Sequence, residues 1–153
     1  MIGLLALASA WIVDAKTSQL DGAKSLTAVV EANGEITNLI GRPERPQFGF
    51  SCDRNGLFVC FHWPDFVEKE SFDDLKVGIG YKIDDGPVVR ERWIATTQSV
   101  SKMGRDGLNW FHKLVTAKRM VVDIPDRHGG QEAVFDLDGI AAVDSQLQAM
   151  TCG

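Results

Sequence analysis

Three cysteines, three histidines and two close aspartate pairs are the residues with chemistry to offer. Cys52, Cys60 and Cys152 stand too far apart for a structural zinc site, which takes paired ligands at short spacing. His62, His112 and His128 form neither HxH nor HExxH. Asp84-Asp85 and Asp136/Asp138 would serve acid-base or metal chemistry only if two carboxylates converged on one pocket with unlike pKa values. Neighbours in a turn or a helix cap point apart, so these read as a turn-former and a cap. "DLDG" lacks the further ligands and closing glutamate of a calcium loop. Ser51, with His62 across a hairpin, is the one imaginable nucleophile and base, and no GxSxG elbow accompanies it. Phosphate-binding GxGxxG and Walker loops are missing too. No catalytic residue, metal or cofactor is expected.

A disulfide is the better use for two of the cysteines. Pairing Cys52 with Cys152 closes about 100 residues, for which the chain-entropy model gives roughly 4.7 kcal/mol. Cys52 with Cys60, across the Asn55-Gly56 turn, is the competing arrangement. Cys60 otherwise reads as a buried apolar thiol. Trp63, Phe66 and Trp93 are core residues or an aromatic contact platform, with Trp63 the best candidate for contact because "HWPDF" enters a loop.

The elements that must position these residues are mostly strands. Period-two alternation runs through "KSLTAVVEA" (24–32), "FGFSCD" (48–53) and "GLFVCFHW" (56–63), the last two flanking Asn55-Gly56. In "KVGIGYKID" (76–84), Val77, Ile79, Tyr81 and Ile83 alternate with lysines and glycines, and the glycines imply a group lying close over that face. "DDGP" turns the chain into "VVRERWIA" (88–95). Helical spacing marks "GLNWFHKLVTAK" (107–118), and strands at 119–124 and 131–136 flank the "PDRHGG" loop. Asp138 is the expected N-cap of a last helix with Ile140, Val143, Leu147 and Met150 on one stripe. "GRPERPQ" (41–47) is the expected long loop. The fold class is mostly β: an antiparallel sandwich or partly closed barrel with one crossing helix and a C-terminal helix.

The chain of 153 residues, 44% hydrophobic, suits one domain over 11–153. A net charge of -5 argues against nucleic acid or an anionic membrane as partner. "MIGLLALASA" (1–10) closes in Ala8-Ser9-Ala10, the small-x-small pattern cut by a signal peptidase, although it lacks a basic leading region. It is either a leader remnant or a first strand. No other stretch has the run of apolar residues a membrane span needs.

"FSCDRNGLFVCFHW", "VGIGYKIDDGPVVRERW", "LNWFHKLVTAKRMVVDI" and "AVFDLDGIAAVDSQLQAMTC", in that order, resemble the VasI/TagO-type proteins associated with type VI secretion loci and also found in prophages. The resemblance runs from about Trp11 to Cys152. By it, Cys52 and Cys152 match the family's two cysteines. Tyr81, Asp84, Gly86 and Trp93 match its hairpin, and Phe135, Asp136 and Gly139 match the turn before the last helix. Cys60 and the weak leader depart from the pattern.

What the resemblance implies is an exported, periplasmic or secreted accessory protein with no catalytic residues, acting through a protein or cell-envelope component. If the first residues are not a leader, the location is cytoplasmic. Two alternatives stand beside it. One is a phage- or prophage-encoded inhibitor of a cell-wall enzyme, plugging a cleft with "WPDFVEKE" or "PDRHGG"; the other is a small hydrolase using His62 or Asp84.

Overall fold

The computed structural model describes residues 10–71, 73 and 75–150. The leader read in the first residues, and Cys152, lie outside the described residues. The strands are β1 (Ile12–Thr17), β2 (Lys24–Glu31), the short β3 (Ile36–Thr37) and β4 (Pro43–Glu44), β5 (Gln47–Asp53), β6 (Gly56–His62), β7 (Lys76–Ile83), β8 (Val89–Ala95) and β9 (Ser99–Met103). Helix α1 (Gly104–His112) follows, then β10 (Arg119–Ile124), β11 (Gln131–Asp136) and helix α2 (Ile140–Ala149).

Nine strands form one antiparallel sheet in the order β1-β2-β5-β6-β9-β8-β7-β10-β11, while β3 and β4 pair separately. This is the expected mostly β architecture with a crossing and a C-terminal helix. Alternation decides the faces: Leu26, Ala28 and Val30 of β2, Phe48, Phe50 and Cys52 of β5, and Leu57, Val59 and Phe61 of β6 all point inward and are buried. The sheet curls around them without closing. Its far ends approach where Asn33, just past β2, donates its backbone N–H to the Val134 carbonyl of β11 at 2.8 Å. Across the curl, Phe48 meets Phe135 of β11 with ring centroids 6.0 Å apart.

Helix α1 fills the concave side. Its Trp110 stands edge-on to Trp93 at 4.8 Å and to Tyr81 at 5.5 Å, and Phe111 packs on Phe50 at 4.5 Å. Edge-on contact suits the ring quadrupoles. The helix begins and ends earlier than the expected 107–118. Gly104, at φ +63, turns the chain out of β9. Beyond His112 the backbone tightens, with Lys113 N–H on the Trp110 carbonyl, Leu114 on Phe111 and Ala117 on Leu114. Leu114 and Ala117 therefore stay buried outside the regular helix.

Three local expectations are corrected. The N-cap of α2 is Gly139 at φ 89, not Asp138; a left-handed residue there suits glycine. The β5–β6 turn centres on Arg54-Asn55, because Asp53 pairs with Gly56. "GRPERPQ" is not one loop, since Pro43–Glu44 pair with β3 and Gln47 opens β5.

Candidate functional site

The densest polar cluster forms where the two loops that carry a Pro-Asp dipeptide meet. Pro64-Asp65-Phe66 follows β6, and Pro125-Asp126-Arg127 follows β10. They lie antiparallel: Val67 bridges Asp126, Glu68 N–H donates to the Pro125 carbonyl at 2.9 Å, and Arg127 N–H donates to the Phe66 carbonyl at 3.1 Å.

Both carboxylates are buried, Asp65 at 0% exposure and Asp126 at 3%. Asp126 is fully engaged. Its Oδ1 accepts the backbone N–H groups of His128 and Gly130, each at 3.0 Å. Its Oδ2 accepts the Trp63 indole N–H at 3.0 Å and the Gln131 amide at 2.9 Å. Such a carboxylate is a knot in the backbone, tying one loop to the other. Asp65 Oδ2 accepts from His128 Nδ1 at 2.6 Å, while its buried Oδ1 has no hydrogen-bond partner among the described residues. The second ring nitrogen of His128 is left for solvent, as the side chain is 38% exposed. Outside, the Arg127 guanidinium covers the half-buried Phe66 ring at 4.1 Å.

Asp65, Asp126 and His128 bring possible ligand atoms within 4.8 Å of one another. A metal fits them poorly. Each oxygen of Asp126 already accepts two N–H donors, which is its lone-pair capacity. What remains open is one Asp65 oxygen and one histidine nitrogen, short of the ligand set of a stable site. The pair can instead fix and orient a surface imidazole.

Trp63, expected to be the accessible aromatic, is fully buried, because its indole N–H is drawn inward to Asp126. Trp93 is buried beneath α1. Of the expected platform only Phe66 reaches the surface.

The other sequence candidates are placed apart. Asp84, at φ 49, accepts the backbone N–H groups of Lys118 and Arg119 at 2.9 and 3.0 Å, clamping the β7–β8 turn to β10. Gly86 N–H closes that turn on the Ile83 carbonyl at 3.0 Å. Asp136 accepts Asp138 N–H at 2.9 Å just before Gly139. Tyr81 and Phe135 are core residues, and burial raises the Tyr81 hydroxyl above the usual phenol range. The group over the β7 glycines is Arg90, whose guanidinium lies 3.0 Å from where a Gly80 Cβ would sit; nothing lies so near Gly78.

Ser51, Cys60 and His62 line a groove of about 170 Å³ on the outer face of β2, β5 and β6, floored by Gly49. Ser51 pairs with Phe58, whereas His62 pairs with Gln47. Four residues of strand, about 13 Å, therefore separate the supposed nucleophile from its base. The same register removes the Cys52–Cys60 disulfide: Cys52 opposes Leu57 on the inner face, while Cys60 opposes Gly49 on the outer one and is a free thiol. Nor is Cys60 a fully buried thiol. It is half-buried, and burial, opposed only by a hydrogen bond from Ser99, pushes its pKa up to about 11. At neutral pH it is protonated and a poor nucleophile.

No protein-family model, curated protein or solved structure matches the chain. Among the described residues no helix is long and apolar enough to cross a membrane.

Proposed function

We propose that this chain is an exported, non-enzymatic contact protein of the kind the VasI/TagO resemblance implies, docking in the periplasm against another protein or an envelope component. One observation carries most weight. The carboxylates singled out for chemistry are largely engaged in holding backbone: Asp126 knots two loops and Asp84 clamps a turn. A Cys52–Cys152 disulfide is part of this proposal, with buried Cys52 tying the C-terminal segment to β5.

The inhibitor reading has one observation in its favour. Its two candidate plugs, "WPDFVEKE" and "PDRHGG", are joined to each other through Val67, Asp65, Asp126 and His128. A stable one-to-one complex with a lysozyme-type enzyme would support it.

Site-specific photo-crosslinking tests the leading reading. A photoreactive residue is placed in turn at Leu20, Ile40, Phe66 and Val88 in the full chain expressed in bacteria. A discrete adduct from at least one site, recovered in the periplasmic fraction, is the expected result. Adducts at none of them, with the chain retained in the cytoplasm, would sink the reading.

A further inference from the structure

Strand β8 is an interior strand of the sheet for only part of its length. β9 pairs with it at Ile94↔Ser101 and Ala95↔Val100 alone. β9 then continues beside β6 as far as Phe58↔Met103, and Gly104 turns the chain away into α1. From Val89 to Trp93, β8 is laddered by β7 only, in the register Tyr81↔Val89 to Val77↔Trp93. Each strand residue sends its N–H and C=O to one side and its neighbours send theirs to the other. Alternate residues of Val89–Trp93 therefore present unpaired backbone groups where β9 has left.

The surroundings of this opening are basic on a chain of net charge -5. Arg90 and Arg92 are exposed on the outer face of β8, Arg90 leaning over Gly80 and Arg92 donating to the Lys76 carbonyl at 3.3 Å, and neither makes an ion pair with a carboxylate among the described residues. Glu91, on the opposite face, is already neutralised by Lys102 at 3.3 Å and accepts the Trp93 indole N–H at 2.7 Å. Apolar surface flanks the same stretch: Val88 is 61% exposed, Val89 37% and Met103 57%. The other sheet edges differ. On β1 the charges of Lys16 and Asp14 meet each other at 3.3 Å, and β11 is approached by the chain after β2 through Asn33.

We propose that Val89–Trp93 accepts an extended acidic segment of a partner protein as an added strand. The backbone of that segment completes the ladder that β9 abandons. Its acidic side chains alternate onto the outer face towards Arg90 and Arg92, and its apolar ones lie beside the exposed Val89. A polypeptide fits where a nucleic acid does not, because the unpaired groups alternate between donor and acceptor at strand spacing, and a phosphate backbone offers no donors. The proposal rests on the contact reading above and names the partner's chemistry.

The test uses the full chain and a capped peptide of alternating Glu and Val, followed by amide hydrogen exchange and a binding titration. Alternate amides between Val89 and Trp93 gain protection of about tenfold or more, and the variant R90E/R92E, changed only at exposed positions, weakens binding about tenfold. The same peptide N-methylated at alternate residues keeps its charge and loses its binding. Equal binding by the N-methylated peptide, protection confined to other strands, or equal protection by an oligothymidylate of matched charge would each overturn the proposal. If the peptide fails while photo-crosslinking still captures a discrete partner, this inference falls and the contact reading stands. Strand addition to the purified chain with no adduct in the envelope gives the reverse.

Discussion

Trp63 donates its indole N–H to Asp126 at 3.0 Å, joining residues 63 positions apart in the chain. The bond puts the largest side chain of one loop beneath the buried carboxylate of the other. It explains why a tryptophan at the mouth of a loop is inaccessible, and why Asp126 tolerates burial.

Asp126→Ala should therefore do more harm than a surface change, since it strands four N–H donors, two of them on the backbone. A loss of about 3 kcal/mol, read from urea unfolding midpoints, is expected. His128→Ala leaves Asp65 with no partner for either oxygen and should cost about 2 kcal/mol. With Asp65→Asn added, the double variant should lose less than the sum of the two single losses, because the residues are in contact. Strict additivity would show that the 2.6 Å pair contributes nothing.

Cys60 makes stability depend on alkaline pH. Its folded pKa of about 11 lies above the 9.0 of an ordinary exposed thiol, so the unfolded chain loses its proton first. The contribution is whole below pH 9 and is lost as pH rises towards 11. The loss reaches about 2–3 kcal/mol if the shift is complete. Wild type should fall relative to Cys60→Ala over that window and run parallel to it below. Parallel curves throughout would contradict the burial argument.

Much of the sheet was legible, and the reasons are local. β7 alternates Val77, Ile79, Tyr81 and Ile83 with lysines and glycines before a turn rich in Asp and Gly, so its faces follow from period two, while β8 is marked more by that turn than by its own "VRERWIA" pattern. β9 escaped because "SVSKM" has only Val100 buried among its apolar residues, and its order is set by β6 and β8 on either side. The Asp65–His128 pair escaped for a different reason. Its members are 63 residues apart, and no spacing rule links two loops. The available signal was a Pro-Asp dipeptide in each loop with a histidine after one of them. Cys60 was misread as a buried apolar thiol: Phe61 takes the core face, so alternation sets Cys60 half-buried on the outer one, away from Cys52.

The proposed Cys52–Cys152 disulfide predicts a single cross-linked peptide in a non-reducing digest of protein recovered from its native compartment, with Cys60 alkylated slowly at neutral pH and faster after unfolding. Reduction should lower the melting temperature, since a loop of about 100 residues is worth roughly 4.7 kcal/mol in the chain-entropy model. Three free thiols would remove the disulfide from the account and weaken the case for export.

The account stands most directly on β8 being an interior strand that becomes an edge. Amide hydrogen exchange of the free protein decides this. Alternate amides between Val89 and Trp93 should exchange about a hundredfold faster than those of Gly80 and Tyr81, which are paired by both β8 and β10. Uniform slow exchange along β8, matching β7, would mean that the edge is closed and that the docking surface lies elsewhere.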